Sequence, residues 1–207
     1  MKRIKYVPIV LVIAIIAFII IWIDFPIARA KDVVHTHKAN VKTLNLNTEI
    51  EVSSEGTTVY TIKGRIMRLV EDPLLMYDTD GNLIASADDS YHIIAQDTHQ
   101  ISVNGTGEEI KMVGKISFFD EQSYDIFVGE EKIAVAKFNR FNTHGTIKDM
   151  SGTVMAEYTS PIIFNDYTVS ITSHNIFSEE ATDLIMASYY SDQKADRDSK
   201  SDDDDDK

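Results

Sequence analysis

Tyr6–Ile23 runs without a charge, preceded by Lys2, Arg3 and Lys5 and closed by Asp24. As a helix it would measure roughly 27 Å, close to the roughly 30 Å hydrocarbon core of a bilayer. The pattern predicts a basic N-terminal tail over 1–5 and a transmembrane anchor or signal over 6–23. Ala28-Arg29-Ala30 fits a small-x-small cleavage sequence, so an uncleaved anchor and a cleaved signal both remain open. Basic residues stand on both sides of the run, because Arg29, Lys31 and Lys38 follow it. The short basic tail and the signal-like layout orient the N-terminus inward. The expectation is a single-pass protein of the cell membrane with its C-terminal domain on the extracytoplasmic side, secreted if cut after Ala30.

From Thr57 onward the period of the pattern is two. Tyr167, Val169 and Ile171 alternate with Thr168 and Ser170, and Tyr124, Ile126 and Val128 alternate with Asp125 and Phe127. Short β-prone runs fill the interval: Thr57–Lys63, Arg65–Val70, Leu74–Asp78, Asn82–Ala87, Tyr91–Gln96, Gln100–Asn104, Glu109–Lys115, Lys132–Phe138, Gly145–Asp149 and Thr153–Tyr158. Turn residues separate them. Asp80-Gly81 reads as a type I′ hairpin, in which both central residues need positive φ. About a dozen strands with no room for crossover helices predict an antiparallel sheet closed as a barrel or sandwich.

The period then changes. Ser178 is an N-cap, Glu179 and Glu180 follow in the first turn, and Leu184–Tyr190 carries no charge. A helix over 178–190 that is apolar nearly all round must be buried on every side. It is too short to span a bilayer, so it is expected to plug the barrel. The predicted fold is mainly β (α+β): an antiparallel closed barrel of about 12 strands over 55–190, with a buried C-terminal helix and one N-terminal transmembrane helix before it. Residues 31–54 read as a polar stalk, with room for an edge strand at its end, and 191–207 as a disordered acidic tail. The tail ends in Asp202–Asp206 and Lys207, which also resembles an enteropeptidase cleavage sequence.

Charge narrows the function. The chain carries −13, and Met1–Ala30 holds four bases against one acid, which leaves −16 on the rest. So acidic a domain is a poor partner for nucleic acid and a poor general match to anionic lipid heads. It has no cysteine, so the core must hold it without disulfides.

Four stretches carry a resemblance. Tyr60–Leu69 (YTIKGRIMRL), Leu74–Ser86 (LLMYDTDGNLIAS), Asp166–Ile171 (DYTVSI) and Asn175–Asp192 (NIFSEEATDLIMASYYSD) resemble the tubby-like superfamily, in its LURP-one-related and phospholipid scramblase-like branch. The resemblance spans about Thr57–Asp192 and rests on motifs of fold. It implies a barrel around a core helix, often working near membranes. It transfers no site: tubby domains hold phosphoinositides with paired Lys and Arg, and no cluster here matches them residue by residue. Scramblases carry cysteines beside the barrel, and this chain has none.

Candidate chemistry is sparse. Asp78-Thr-Asp80-Gly81-Asn82 has the oxygen density of a calcium loop without the twelve-residue frame or the closing Glu, and reads as a turn; Asp88-Asp89 reads as a second acidic turn rather than a metal site. His35 and His37 flank Thr36 with no third ligand nearby in sequence, and read as solvated. No nucleophile elbow, His-Glu-x-x-His or phosphate-cradling loop occurs. No catalytic residue, metal or cofactor is assigned. The ligand-binding candidates are basic: Lys63, Arg65, Arg68, Lys111, Lys115, Lys137 and Arg140, with Lys148 beside them. The expected function is a non-enzymatic binding or scaffold module at the cell envelope, its ligand a lipid head group, an envelope polymer or another protein. A basic or aromatic patch on the acidic barrel would favour it. The alternatives are a scramblase-like lipid-binding protein and an envelope hydrolase.

Overall fold

A computed structural model describes residues 30–44, 47–65, 73–90, 98–115, 122–139, 143–161 and 166–201. Twelve strands make the wall of the barrel: β1 (Val33–Leu44), β2 (Asn47–Ser54), β3 (Thr57–Arg65), β4 (Leu74–Asp78), β5 (Leu83–Ser90), β6 (Thr98–Val103), β7 (Glu108–Lys115), β8 (Gln122–Val128), β9 (Glu131–Phe138), β10 (His144–Asp149), β11 (Val154–Thr159) and β12 (Tyr167–Thr172). One helix follows, α1 (Glu179–Ser201). Each strand pairs antiparallel with the next, and β1 pairs with β12 to close the barrel.

Residues 31–54 are not a stalk. Val33–Leu44 and Asn47–Ser54 are the first two strands, and the barrel begins at Val33 rather than at residue 55. In β2, Thr48, Ile50 and Val52 turn inward while Asn47, Glu49 and Glu51 face out, the alternation of a half-buried strand. In β1 the inward positions are His37, Ala39 and Val41, a polar and a small residue among them, which hides the period. Two expected runs, Arg65–Val70 and Tyr91–Gln96, fall outside the described residues apart from Arg65. So do residues 1–29 with the 6–23 run, and residues 202–207. Among the described residues no helix is long and apolar enough to cross a membrane.

The turns refine the expectation. The two-residue turn with both φ positive is Glu55-Gly56 (51° and 83°). At Asp80-Gly81 only the glycine is left-handed. There the Asp78 carboxylate accepts the amides of Asp80 and Asn82 and the Asn82 side chain. These bonds, the Asn82 pair foremost, hold the Asp78 carboxyl below its ordinary value. Its oxygens are therefore engaged by the turn itself.

The helix runs longer than the predicted 178–190, through Ser201, so residues 191–201 of the expected disordered tail are helical. Ser178 Oγ accepts the Ala181 amide as an N-cap. The Ser178 amide donates to both Glu108 oxygens, at 3.0 and 3.3 Å, which ties the start of α1 to the start of β7. Ala181, Leu184, Ile185, Met186, Ala187 and Tyr189 are completely buried. They meet inward residues of the whole wall, from Ile50 and Ile62 through Ile110 and Ile126 to Ile171. At roughly 1.5–3 kcal/mol for each fully buried large apolar side chain, this one cluster dominates the stability of the domain. Phe138 stacks on Tyr189 with ring centroids 3.3 Å apart, and Tyr158 and Tyr124 meet Tyr189 edge-on.

Candidate functional site

The outer wall from β7 to β10 gathers lysines. Alternation turns Ile110 and Met112 inward, so Lys111, Val113 and Lys115 face out. On β8, Tyr124 and Ile126 face the core, and Asp125 and Phe127 face out. Register then sets the rows across the wall. Lys115 and Lys137 both stand opposite Ser123, Lys111 and Lys132 both stand opposite Phe127, and Lys148 stands beside Val135. Asp125 sits between the rows. One of its oxygens lies 2.8 Å from both Lys115 Nζ and Lys132 Nζ. Burial raises the Asp125 carboxyl, but the two lysines outweigh it and hold the group below its ordinary value. The result is five lysines on three strands, β7, β9 and β10, flanking β8, whose Asp125 and Phe127 lie among them, on a chain of net charge −13.

Three of the sequence candidates, Lys111, Lys115 and Lys137, therefore converge, and Lys148 joins them. Lys132 is an addition: its place depended on the bulge between Ile126 and Phe127, which only the register reveals. Lys63 does not belong to the group. It lies on β3, four strands from β7, roughly 19 Å around the wall at about 4.8 Å per strand. There it pairs with Glu49 at 3.6 Å and lies over the Tyr77 ring. Arg65 stands opposite Asn47 in the ladder. Its side chain, like Arg68 and Arg140 entire, is outside the described residues.

Inside the barrel are polar groups that the sequence reading missed. His37 is 1% exposed, not solvated. Its Nδ1 lies 2.5 Å from Asp183 Oδ2, and Tyr60 OH donates to that same oxygen. His37 Nε2 lies 3.0 Å from Glu179 Oε2, in ion-pair range but off hydrogen-bond geometry. Glu179 also reaches His35, at 3.4 Å, so the third polar partner for the two histidines comes from α1. Burial pulls the His37 imidazole down; Asp183, through its hydrogen bond and charge, and Glu179 together outweigh that and hold it above its ordinary 6.5. Burial pushes the Asp183 carboxyl up, with His37 pulling the other way.

A second cluster repeats this plan further along α1. His99 Nε2 lies 2.9 Å from Asp192 Oδ2, and Tyr124 OH donates to the same oxygen at 2.8 Å. The only sequence signal for either cluster was an acid at positions 183 and 192 flanking an otherwise apolar stretch. The remaining histidines pair elsewhere: His144 lies 3.1 Å from Glu157, and His174 lies 3.9 Å from Asp32. Glu157 also accepts the Ala30 amide, at 2.6 Å. His92 is outside the described residues.

Comparison with known proteins finds no family model, no curated protein and no solved structure that matches this chain.

Proposed function

We propose that this is a membrane-anchored, extracytoplasmic, non-enzymatic binding module of tubby-like type, and that the β7–β10 wall binds an anionic ligand at the cell envelope. One observation carries the reading: Lys111, Lys115, Lys132, Lys137 and Lys148 share one face of a strongly acidic domain. Asp125 offsets part of that charge through Lys115 and Lys132, and the excess of lysines that remains on an otherwise acidic surface is the footprint of an anionic partner. The uncharged run at 6–23 supports a tether that concentrates the domain at the bilayer. The helix-filled interior weighs against a lipid-conducting groove. His37 has carboxylates at both nitrogens rather than a serine, which weighs against a hydrolase.

The test is binding of the full chain, in detergent or nanodiscs, to two probes: vesicles with and without anionic lipid, and a soluble acidic polymer. Salt-sensitive binding to one probe, lost in Lys132→Glu/Lys137→Glu, is the expected result and identifies the ligand source. Binding that ignores both salt and the charge reversal would refute the lysine wall as the site. Tether and orientation are tested separately, by protease digestion of intact and opened cells. Cleavage of the barrel termini only after opening would reverse the assigned side.

A further inference from the structure

The tight connections Glu55-Gly56, Asp80-Gly81, Gly129-Glu130 and Ser151-Gly152 all lie at one end of the barrel, where α1 enters. The second polar cluster lies toward the opposite end, where β5 finishes and β6 begins. There Asp89 from β5, His99 from β6 and Asp192 from α1 bring one ligand atom each to within 4.8 Å of one another. We propose that Asp89, His99 and Asp192 form a binding site for a divalent transition-metal ion of the zinc or manganese class.

The donor set argues for that class. One imidazole nitrogen and two carboxylates suit first-row transition ions, whereas calcium takes six to eight oxygens and no nitrogen. The two carboxylates neutralise the charge of a dication, which a lone buried histidine could not. Exposure is graded as a site with an entrance needs: His99 is 4% exposed, Asp192 15% and Asp89 34%. Asp192 faces His99 Nε2 at 2.9 Å and Asp89 faces Nδ1 at 3.7 Å, so an ion held by Nε2 and Asp192 requires the rim carboxylate of Asp89 to turn to that side. Zinc bonds of about 2.0–2.2 Å place tetrahedral ligand atoms roughly 3.3 Å apart, so atoms within 4.8 Å of one another need close by no more than about 1.5 Å. Tyr124 supplies the orienting partner: its hydroxyl donates to Asp192 at 2.8 Å, as the outer-shell groups of metal sites do. The proposal is independent of the lysine wall, which lies on the outer face of β7–β10.

The experiment is calorimetric titration of the full chain, stripped with chelator in detergent, with Zn²⁺, Mn²⁺ and Ca²⁺ in turn. One equivalent of Zn²⁺ or Mn²⁺ is expected to bind saturably, with Ca²⁺ far weaker. Asp89→Asn, at the rim, should lose that equivalent. Tyr124→Phe should keep it with affinity reduced roughly 10–100-fold. Co²⁺ gives a readout that needs no variant: an intense visible band for four- or five-coordinate binding is expected of the wild type. The absence of saturable binding, only the weak band of hydrated Co²⁺, or equal binding by Asp89→Asn would each overturn the proposal. The last would place the ion outside this cluster.

Discussion

Asp183 and Asp192 stand on opposite faces of α1, and each is gripped by one histidine and one tyrosine of the wall. Nine residues at 100° each make two and a half turns, about 13.5 Å along the axis. The wall matches this half-turn. His37 lies on β1 and His99 on β6; Tyr60 lies on β3 and Tyr124 on β8. Each pair is five strands apart in a ring of twelve, one strand short of facing each other across the barrel. Apolar packing positions the rod by shape, and two opposed polar clamps add fixed points for both its depth and its angle. Buried polar groups acting as a register device have precedents in coiled coils.

The first prediction separates a broken clamp from an absent one. Asp183→Ala should destabilise the domain by about 3–5 kcal/mol, because it leaves His37 buried without its carboxylate. His37→Leu/Asp183→Leu should be far milder than Asp183→Ala, since neither charge remains. Urea unfolding of both variants decides it; a double variant as damaged as the single would show that shape, not charge, sets the cost.

Clamp chemistry also fixes a pH dependence. The folded His37 imidazole sits above its ordinary 6.5, facing Asp183 and Glu179 from α1, Tyr60 from β3 and His35 on its own strand. A raised folded value means that its stabilisation is complete below pH 6.5 and disappears as pH climbs through the folded value. Asp183, also raised, has the same sign from 3.8 upward. Wild type should therefore lose stability relative to His37→Gln as pH rises above 6.5. Urea midpoints that run parallel for the two proteins through neutral and mildly alkaline pH would contradict it.

Gly145 is the third target. A Cβ there would lie 2.1 to 2.9 Å from three atoms of the Phe138 ring. That ring is locked against Tyr189 on one side and meets Tyr158 and Tyr124 edge-on. Gly145→Ala should cost at least the roughly 1–3 kcal/mol of an overpacked core, read as a lower melting temperature. An unchanged melting point would mean that Phe138 has somewhere else to go.

Leu184→Ala tests the helix as core rather than ornament. Leu184 is completely buried, and its truncation should cost about 2–5 kcal/mol. A loss under about half a kcal/mol, the size expected of a surface site, would mean that the helix does not hold the barrel together.

The sequence made the second half of the barrel legible because its inward positions are large: Tyr124 and Ile126, Tyr167, Val169 and Ile171. The helix was legible from Ser178, Glu179 and the uncharged Leu184–Tyr190. The first two strands were not, because β1 turns His37 and Ala39 inward, and a histidine on the inner face looks like a break in the pattern. The reason for that histidine, Asp183, is 146 residues away. The lysine wall was half legible. Residue type marked Lys111, Lys115 and Lys137, but their meeting depends on strand register, which no local pattern encodes. Asp192 read as the start of a solvated tail because its partners, His99 and Tyr124, lie in other strands.

The seam between β1 and β12 also has a consequence in time. Lys38 pairs with Thr168, so the first strand of the barrel is matched to the last. During synthesis the first strand emerges with one edge unmatched and waits for nearly the whole domain before its neighbour exists. Loop closure over that span is slow, and an open edge beside a half-built apolar trough invites pairing with other chains. The seam can zip only once β12 has been made, and the Asp192 clamp only once α1 has followed it, so closure of the domain depends on its last-made part.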